Sequence, residues 1–407
     1  MSKPLNSAVV SLTPDKLLDF QHSVANIEGL VSLTFGEPGF ATPAPVKKAT
    51  IQAIEEDRSH YGDSQGEPKL RSAILDYMAD RYDLQYPSID NVIVTVGVTE
   101  AMQSIFKTLL APGQGLLIPD PAYGSYFSAL SLAGGTAVPI DTGKTAYKLT
   151  PALIDETIAE TTEDVHAILF NYPNNPTGVT YTKEELEELA ETFKRHDLWV
   201  ISDEIYSELT YEGNHYSMGK LLPDQTVVVN GLSKSHAMTG YRLGFILGPT
   251  ALIQQIQKVH GPLVFAVPTF IQDGAVAALK IPKEDLAFMR VEYQKRRDYA
   301  KKFLADLGFE LVSPKGAFYL FAKLPADLGE DGWAFATALA QQAKVSVIPG
   351  AGFSFFDEAK KFIRISYAAD MAQLQEGLKR LKTYVDEQRA AQETAEALSE
   401  DMTALAD

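Results

Sequence analysis

The segment "TVVVNGLSKSHAMTGYRLGFILG", residues 226–248, contains two short apolar runs on either side of a polar segment with Lys234 and Arg242. Apolar runs of four to eight residues rich in β-branched side chains are typical of buried strands. Lys234 follows such a run closely, so its ammonium is expected near the end of a buried strand, where an unpaired charge is costly. We therefore expect Lys234 to be bound by something or to be needed as an amine.

Similar apolar runs recur between about residue 45 and residue 274. They alternate with helical stretches such as "PKLRSAILDYMADRY", residues 68–82. The runs are "NVIVTVG" (91–97), "GLLIPD" (115–120), "AILFNYP" (167–173) and "LWVISDE" (198–204). This alternation predicts an α/β fold with a mostly parallel sheet and helices on both faces. Several runs end in polar or Gly/Pro clusters, and ligands of open α/β sheets bind at the carboxyl ends of the strands.

The pattern changes after about residue 280. The runs "GFELVSPKGAFYLFAKL" (308–324), "KVSVIPG" (344–350) and "KFIRISYA" (361–368) predict a smaller α+β unit. We therefore expect an N-terminal arm (1–45) that belongs to the small domain, a large ligand-binding domain (46–280) and a small C-terminal α+β domain with an acidic helical tail (281–407). Within the arm, Thr13 as N-cap and Pro14 at the first helical position predict the start of a helix.

Composition and charge exclude several classes of protein. The net charge of -17 argues against nucleic-acid binding, and the absence of cysteine excludes disulfides, thiolate metal sites and a cysteine nucleophile. No apolar run approaches the roughly 20 residues that span a bilayer. The first residues, "MSKPLNSAVVSLTPDKL", do not have the pattern of a secretory signal. We expect a cytoplasmic enzyme that binds neither membrane nor nucleic acid and holds no metal.

A phosphate site is predicted around "GVTEA", residues 97–101, which leads from a strand into a helix. A helix N-terminus offers free backbone N–H groups and the positive end of the helix dipole. The hydroxyl of Ser233 and the guanidinium of Arg242 can bind the same phosphate. Taken alone, the turn can equally be a plain strand-to-helix connection, and Arg242 can form a surface ion pair.

Four further side chains follow predicted strands or turns. Asp203, after "LWVIS", can be the counter-ion of a protonated ring nitrogen or a helix N-cap. Tyr206 lies three residues on and can reach the same ligand. Asn175, before Pro176, can aim its amide at a ligand oxygen or simply form a turn. Tyr123 can stack on a flat ring or cover the core.

Taken together, these residues resemble the class I/II aminotransferases of the pyridoxal-phosphate fold type I group. The resemblance extends from about residue 33 to residue 369. It rests on motifs in family order: "YGDSQGEPKLRSAI" (61–74), "NYPNNPTG" (171–178), "SDEIY" (202–206), "SKSHAMTGYRLG" (233–244), "PKGAFY" (314–319) and "FIRISYA" (362–368). The resemblance implies pyridoxal 5'-phosphate as cofactor, amino acids and 2-oxo acids as substrates, and a homodimer with shared active sites.

The resemblance also implies a role for individual residues. Lys234 matches the lysine that bonds the cofactor aldehyde, Asp203 the partner of the pyridine nitrogen, and Tyr123 the aromatic that stacks on the ring. Asn175 and Tyr206 match the residues that bind the phenolic oxygen of the cofactor. As an amine of lowered pKa, Lys234 would serve as nucleophile and then as general base.

Two further groups of residues follow from the resemblance. The residues matching the phosphate site are Val98, Thr99, Ser233 and Arg242, together with Tyr61, which in the family comes from the neighbouring subunit. The residues matching the site of the substrate carboxylate are Arg364, Gly36 and Asn175. The sequence departs from the family at Gly231, where some relatives carry a phosphate-binding serine.

The expected reaction moves the amino group of an L-amino acid to a 2-oxo acid such as 2-oxoglutarate by a ping-pong mechanism. A C–S β-lyase or a cyclopropane-forming synthase on the same fold is an alternative. A cofactor-sensing regulator is disfavoured, because too few residues precede residue 33 for a DNA-binding module.

The side chain of the preferred substrate is predicted from apolar segments. We expect an aromatic or large neutral amino acid, because the residues expected around the substrate side chain are apolar: Phe35, Phe40, Phe265, Phe353 and Phe355. The alternative is that these phenylalanines simply belong to the hydrophobic core. The rival prediction is an aspartate or N-acetyl-diaminopimelate aminotransferase, with Arg58 of the neighbouring subunit reaching the second carboxylate.

Overall fold

The computed structural model describes residues 3–10, 12 and 16–404. The helix start predicted at Thr13 and Pro14 lies outside these residues. The helices are α1 Ser7–Val10, α2 Lys16–Val24, α3 Ala44–Glu55, α4 Pro68–Tyr82, α5 Gly97–Leu109, α6 Ser125–Ala133, α7 Pro151–Glu160, α8 Lys183–Arg195, α9 Met218–Leu221, α10 Leu232–Ser235, α11 Thr250–Val264, α12 Thr269–Leu279, α13 Lys283–Asp306, α14 Gly332–Ala343 and α15 Met371–Ala404.

The strands are β1 Val31–Ser32, β2 Val92–Thr95, β3 Gly115–Asp120, β4 Thr136–Asp141, β5 Val165–Asn171, β6 Trp199–Asp203, β7 Thr226–Gly231, β8 Gly244–Leu247, β9 Glu310–Leu311, β10 Tyr319–Lys323, β11 Val345–Ser346, β12 Ile348–Pro349 and β13 Phe362–Ser366. Each apolar run quoted above therefore overlaps at least one strand.

The large sheet has seven strands in the order β2-β8-β7-β6-β5-β3-β4. Neighbours from β7 through β6, β5 and β3 to β4 pair in parallel, and β8 pairs antiparallel with both β7 and β2. The successive residues Val200 and Ile201 are both fully buried and belong to separate apolar clusters. Because successive side chains of a strand point to opposite faces, both faces of the sheet are covered. The α/β prediction is confirmed.

The C-terminal part has a four-stranded antiparallel sheet in the order β12-β13-β10-β9. Strand β1 pairs in parallel with β11, with Val31 opposite Val345. This pairing supports grouping the N-terminal arm with the C-terminal part, and the three-part division predicted from the sequence stays a proposal.

Candidate active site

A cavity of ≈ 480 Å³ lies where β6 and β7 of the large sheet end and where β10 and β13 of the small sheet approach. Residues of the large sheet, the small sheet and helix α2 line it. The residues predicted for the site that line the cavity are Gly36, Val98, Thr99, Tyr123, Asn175, Asp203, Tyr206, Ser233, Lys234, Arg242 and Arg364. The structure therefore brings together all of the residues predicted to bind the cofactor and the substrate carboxylate except Tyr61.

Lys234 lies on α10, the short helix that follows β7, and its Nζ donates to the carbonyl oxygen of Gly36 at 2.5 Å. Burial lowers the pKa of this amine to about 8, against the opposing effect of the Glu37 carboxylate. The positive charges of Arg242 and Arg364 lower the pKa further. An amine with this pKa is deprotonated far more often near neutral pH than a free lysine, whose pKa is about 10.4.

Asp203 is the last residue of β6 and is 1 % exposed. Its Oδ2 accepts a hydrogen bond from the Tyr126 hydroxyl at 2.5 Å, and its Oδ1 accepts one from the backbone N–H of Ile205 at 3.1 Å. Burial raises the pKa of Asp203 to about 6, although both hydrogen bonds oppose the shift. The 3-10 helix that follows, Ser207–Leu209, has Tyr206 and not Asp203 as its N-cap, so the interpretation of Asp203 as a helix N-cap is wrong.

Asn175 and Tyr206 face the cavity from loops that follow β5 and β6. The Oδ1 of Asn175 accepts from Nη1 of Arg364 at 2.9 Å, while its backbone N–H donates to Oδ1 of Asn171 at 3.0 Å. The Tyr206 hydroxyl lies 2.8 Å from the Tyr319 hydroxyl. These contacts fix both groups at the wall of the cavity.

The start of α5 and the side chain of Arg242 are close together. Gly97 has a φ of +72, and a Cβ added to it would lie 2.7 Å from Nη2 of Arg242. The guanidinium thus occupies the space that the missing side chain leaves at the helix N-terminus. Within the described part of the chain Arg242 forms no ion pair, so the alternative interpretation of Arg242 as a partner in a surface ion pair is wrong. Its Nη1 donates to the carbonyl of Thr239 at 3.0 Å.

Gly231 has a packing reason for departing from the family. A Cβ at this position would lie 2.8 Å from the carbonyl oxygen of Leu243 and 3.0 Å from the Cα of Gly244. Backbone atoms cannot move aside as a flexible side chain can. The close approach of β7 and β8 therefore disfavours a serine here.

Arg364 on β13 is 5 % exposed and lies close to two aromatic rings. Its guanidinium carbon is 4.3 Å from the centre of the Tyr319 ring and 4.9 Å from that of Phe353. Nη1 bonds Asn175, as above, and Nη2 donates to the carbonyl of Thr34 at 2.7 Å. Among the residues that the structure describes, no carboxylate pairs with Arg364, so its charge is available to an anionic ligand.

Tyr61 lies outside the cavity of its own chain. Its side chain is 89 % exposed, and its ring packs edge-on against Phe265 with 4.8 Å between the ring centres. Arg58, which the rival specificity prediction uses, has its Nε 3.1 Å from Asp273 and its Nη2 3.2 Å from Glu67.

Of the five phenylalanines predicted to surround the substrate side chain, only Phe35 lines the cavity. Phe353 is fully buried, and Phe40 packs against the same core. Phe265 and Phe355 are about half exposed and lie elsewhere. The pocket interpretation is therefore wrong for Phe40 and Phe353, because period and apolarity alone do not distinguish a core face from a cavity wall. For Phe265 and Phe355, which do not line the cavity of their own chain, it stays a prediction.

Sequence reasoning missed several lining residues. Tyr126 lies only three residues after Tyr123, at the start of α6, and this short separation was a usable signal. Tyr319 lies on β10, beside the strand of Arg364, which only the sheet register reveals. The remaining lining residues that were missed include Leu17, Leu18, Gln21, Glu37, Met102, Ala129 and Ile205.

Known proteins share this architecture and these motifs. The sequence profile of the family "Aminotransferase class I and II" matches residues 28–381. The chain is 38% identical over 394 residues to a probable N-acetyl-LL-diaminopimelate aminotransferase of Bacillus subtilis (strain 168), covering 97% of this chain and 99% of the relative. It is 33% identical to aromatic-amino-acid aminotransferase 2 of Thermococcus litoralis, covering 95% of this chain and 99% of that protein.

A solved structure, aspartate aminotransferase from Thermus thermophilus with maleate, matches with a TM-score of 0.86 at 32% identity and covers 93% of this chain and 99% of that one. The chain belongs to the class I and II aminotransferase family. It is a pyridoxal-phosphate-dependent transferase of fold type I, acting on amino acids and 2-oxo acids.

The cavity fits the cofactor of this family. The left-handed Gly97 leaves room for the Arg242 guanidinium beside the N-terminus of α5, which together suit a phosphate. The buried amine of Lys234 suits an aldehyde, and the buried carboxylate of Asp203 suits a protonated ring nitrogen.

Within the described residues, no helix has the length and apolar character to cross a membrane. No group of three or more metal-ligating side chains is found in the same part of the chain.

Proposed function

We propose that this aminotransferase takes its amino group from L-amino acids with aromatic or other large neutral side chains and passes it to a 2-oxo acid such as 2-oxoglutarate. The observation that carries this proposal is the distribution of charge in the cavity. Its described lining has three cations, Lys234, Arg242 and Arg364. Their proposed partners are the cofactor aldehyde, the cofactor phosphate and the α-carboxylate of the substrate, respectively. None is left for a carboxylate on the substrate side chain.

The rest of the lining supports a neutral side chain. Leu17 and Leu18 of α2, the ring of Phe35 and Glu37 also border the cavity. The Glu37 carboxylate would repel a second acidic group, whereas the apolar side chains favour burial of apolar substrate surface at about 25 cal/mol per Å².

Lys234 is proposed to hold the cofactor aldehyde and then to carry a proton between Cα of the substrate and C4′ of the cofactor. Its lowered pKa suits both tasks, since a deprotonated amine is needed to attack and to accept a proton. The cofactor, when bound, supplies the electron sink for this chemistry. The carbonyl oxygen of Gly36 accepts from Nζ of Lys234, which orients the amine at the cavity wall.

Asp203 is proposed to keep the ring nitrogen of the cofactor protonated. The Tyr126 and Ile205 bonds hold both carboxylate oxygens in place, so the charge needs no reorganisation. Asn175 and Tyr206 would bind the phenolic oxygen, and Tyr123 would stack on the ring.

Val98, Thr99, Ser233 and Arg242 are proposed to hold the phosphate. The partner subunit's Tyr61 would complete this site in a homodimer, which agrees with the exposure of Tyr61 in its own chain. Arg364 is proposed to bind the substrate carboxylate as a two-bond fork, with Gly36 and Asn175 beside it.

A second candidate is an aminotransferase for aspartate or N-acetyl-diaminopimelate. It is favoured by the names of the relatives, one of which is a probable N-acetyl-LL-diaminopimelate aminotransferase at 38% identity. Arg58 would have to break its ion pairs with Glu67 and Asp273 to bind a second carboxylate, and this requirement weakens the candidate. A C–S β-lyase is the more distant alternative.

The decisive experiment compares kcat/KM for phenylalanine, aspartate and N-acetyl-LL-diaminopimelate with 2-oxoglutarate as acceptor, and measures cystathionine cleavage in parallel. We expect phenylalanine to be preferred. Phe35→Ala should lower kcat/KM for phenylalanine about 3- to 10-fold by removing apolar contact. Phe355→Ala is the matched control, since Phe35 and Phe355 are 57% and 56% exposed but only Phe35 lines the cavity. A clear preference for either acidic donor would refute the neutral-substrate proposal.

A further inference from the structure

Tyr319 contacts two residues of the proposed site at once. It is the first residue of β10, where it lies opposite Ser366 of β13, while Phe321 lies opposite Arg364. Residues two apart on a strand share a face, so Tyr319 and Arg364 are diagonal neighbours on one face of the small sheet. The Tyr319 side chain is 1% exposed and borders the cavity.

The ring of Tyr319 supports the guanidinium of Arg364. The distance from the guanidinium carbon to the centre of the Tyr319 ring is 4.3 Å, shorter than the 4.9 Å to the centre of the Phe353 ring. A cation over an aromatic face is attracted to it, most strongly where both are desolvated. Arg364 keeps its position without a carboxylate partner among the described residues.

The hydroxyl of Tyr319 lies 2.8 Å from the hydroxyl of Tyr206. It fills the space beside Gly36, where an added Cβ would collide with it. Tyr206 has one proton to donate. If Tyr319 donates to Tyr206, the Tyr206 proton remains free for an acceptor in the cavity; the reverse orientation would use it up.

We propose that Tyr319 is a positioning residue with two separable effects. Its ring orients Arg364 toward a substrate carboxylate, and its hydroxyl donates to Tyr206 so that the Tyr206 proton points into the cavity. The inference rests on the roles proposed above for Tyr206 and Arg364. Burial raises the pKa of both tyrosines, so each holds its proton near neutral pH.

The ring is tested by the affinity of the cofactor-loaded protein for 3-phenylpropanoate, a carboxylate without an amino group to react. Calorimetry should show that Tyr319→Phe changes the Kd by less than about twofold, whereas Tyr319→Leu weakens binding about 5- to 30-fold. If the leucine variant does not fold, Tyr319→Met replaces it. Equal effects of the phenylalanine and aliphatic variants, or no effect of the latter, would overturn the proposed role of the ring.

The hydroxyl is tested by the pH dependence of the absorbance of the bound cofactor. A hydrogen bond from Tyr206 favours the ionised phenolic oxygen, and a donor behind Tyr206 strengthens it. Tyr319→Phe should therefore move the midpoint of the absorbance titration, the pH at which half of the change in absorbance has occurred, upward by about 0.3 to 1 pH unit. The control is Tyr367→Phe, which removes another buried hydroxyl, one that donates to the carbonyl of Ala317 at 3.3 Å, and should not move it.

A double-variant cycle decides whether Tyr319 acts through Tyr206. Tyr206→Phe combined with Tyr319→Phe should have the midpoint of Tyr206→Phe alone. Additive shifts, or an unchanged midpoint in Tyr319→Phe, would refute the proposed role of the hydroxyl. The absorbance readout involves neither turnover nor binding of a donor, so it stands apart from the substrate preference. Arg364→Lys checks the carboxylate site separately, because it should weaken 3-phenylpropanoate binding even if Tyr319 has no role.

Discussion

At the scale of single residues, burial moves the pKa values of Lys234 and Asp203 toward each other. Lys234 falls to about 8 and Asp203 rises to about 6. Between these two values the amine is mostly protonated and the carboxylate mostly ionised. Each group thus keeps its charge near neutral pH but can lose it after a small change in its surroundings. A pKa close to the working pH is what a group that transfers protons requires.

The pKa of Lys234 can be measured by amine labelling in cofactor-free protein. Only the deprotonated amine reacts with fluorodinitrobenzene, so the labelling rate of Lys234 should rise about tenfold per pH unit and level off near pH 8. An N-acetyl-lysine amide, as reference, should level off only near ~10.4. Peptide mapping supplies the rate at this residue. Labelling that still rises above pH 10 would contradict the effect of burial.

The hydrogen bond from Tyr126 should set the acidic limit of turnover. Tyr126→Phe removes a donor that lowers the pKa of Asp203, so this pKa should rise and the carboxylate should be neutralised at higher pH. We expect the acidic limb of the kcat/KM profile to move to higher pH by up to about one unit. Asp203→Asn gives the limit in which the counter-ion is lost throughout. An unchanged acidic limb in Tyr126→Phe would show that this bond does not tune Asp203.

At the scale of elements, the site depends on how α5 and β8 meet. β2 leads directly into α5, and β8 runs antiparallel beside β2, with Gly244 opposite Thr95. Arg242 therefore comes to the N-terminus of α5 from the segment before β8. Gly97 makes this approach possible, because it has a left-handed φ and no side chain in the path of the guanidinium.

Gly97→Ala should weaken cofactor binding more than it weakens the fold. Its Cβ would displace Arg242, and loss of such a charge-assisted contact should raise the Kd for the cofactor about tenfold or more. Gly29→Ala is the control, because Gly29 has φ +73 against +72 at Gly97 but nothing within 4 Å of an added Cβ. Equilibrium dialysis and thermal unfolding separate the two effects. Equal cofactor affinity in both variants would mean that Arg242 does not need this space.

At the scale of the whole molecule, several large apolar side chains remain exposed on one chain. Among them, in the described part of the chain, are Ile51, Ile54, Tyr61, Leu263 and Phe265. Contiguous apolar surface is typical of interaction sites, whereas a single exposed apolar side chain is ordinary. Tyr61 and Phe265 contact each other, so the tyrosine proposed to enter a second subunit is supported by a neighbouring exposed ring.

Subunit complementation tests the shared site. Lys234→Ala and Tyr61→Ala homodimers should each be impaired, and Lys234→Ala should have no turnover. Mixed dimers contain one site with an intact Lys234 and the partner subunit's intact Tyr61, so an equal mixture after reassociation should recover about a quarter of wild-type activity. Sedimentation should show a dimer throughout. Activity no greater than the mean of the two parents, or a fully active monomer, would rule out the shared site.

The sequence by itself determined the α/β class, the family and the positions of the charged groups. Valine and isoleucine runs can be buried on both faces only in a covered sheet, and the polar clusters that follow them are local in the chain. Lys234, Asp203, Asn175 and Arg364 could be found for this reason: each lies within a short motif whose order along the chain is itself informative.

Only the tertiary structure decided which side chains share the cavity with these groups. Tyr319 meets Tyr206 across 113 positions of sequence, and its place beside Arg364 depends on the register of β10 with β13. Phe35 and Phe353 look alike in sequence, yet one lines the cavity and the other lies beneath Arg364. The physical reason is that apolarity records only removal from water, whereas the direction in which a side chain faces is set by packing between distant elements.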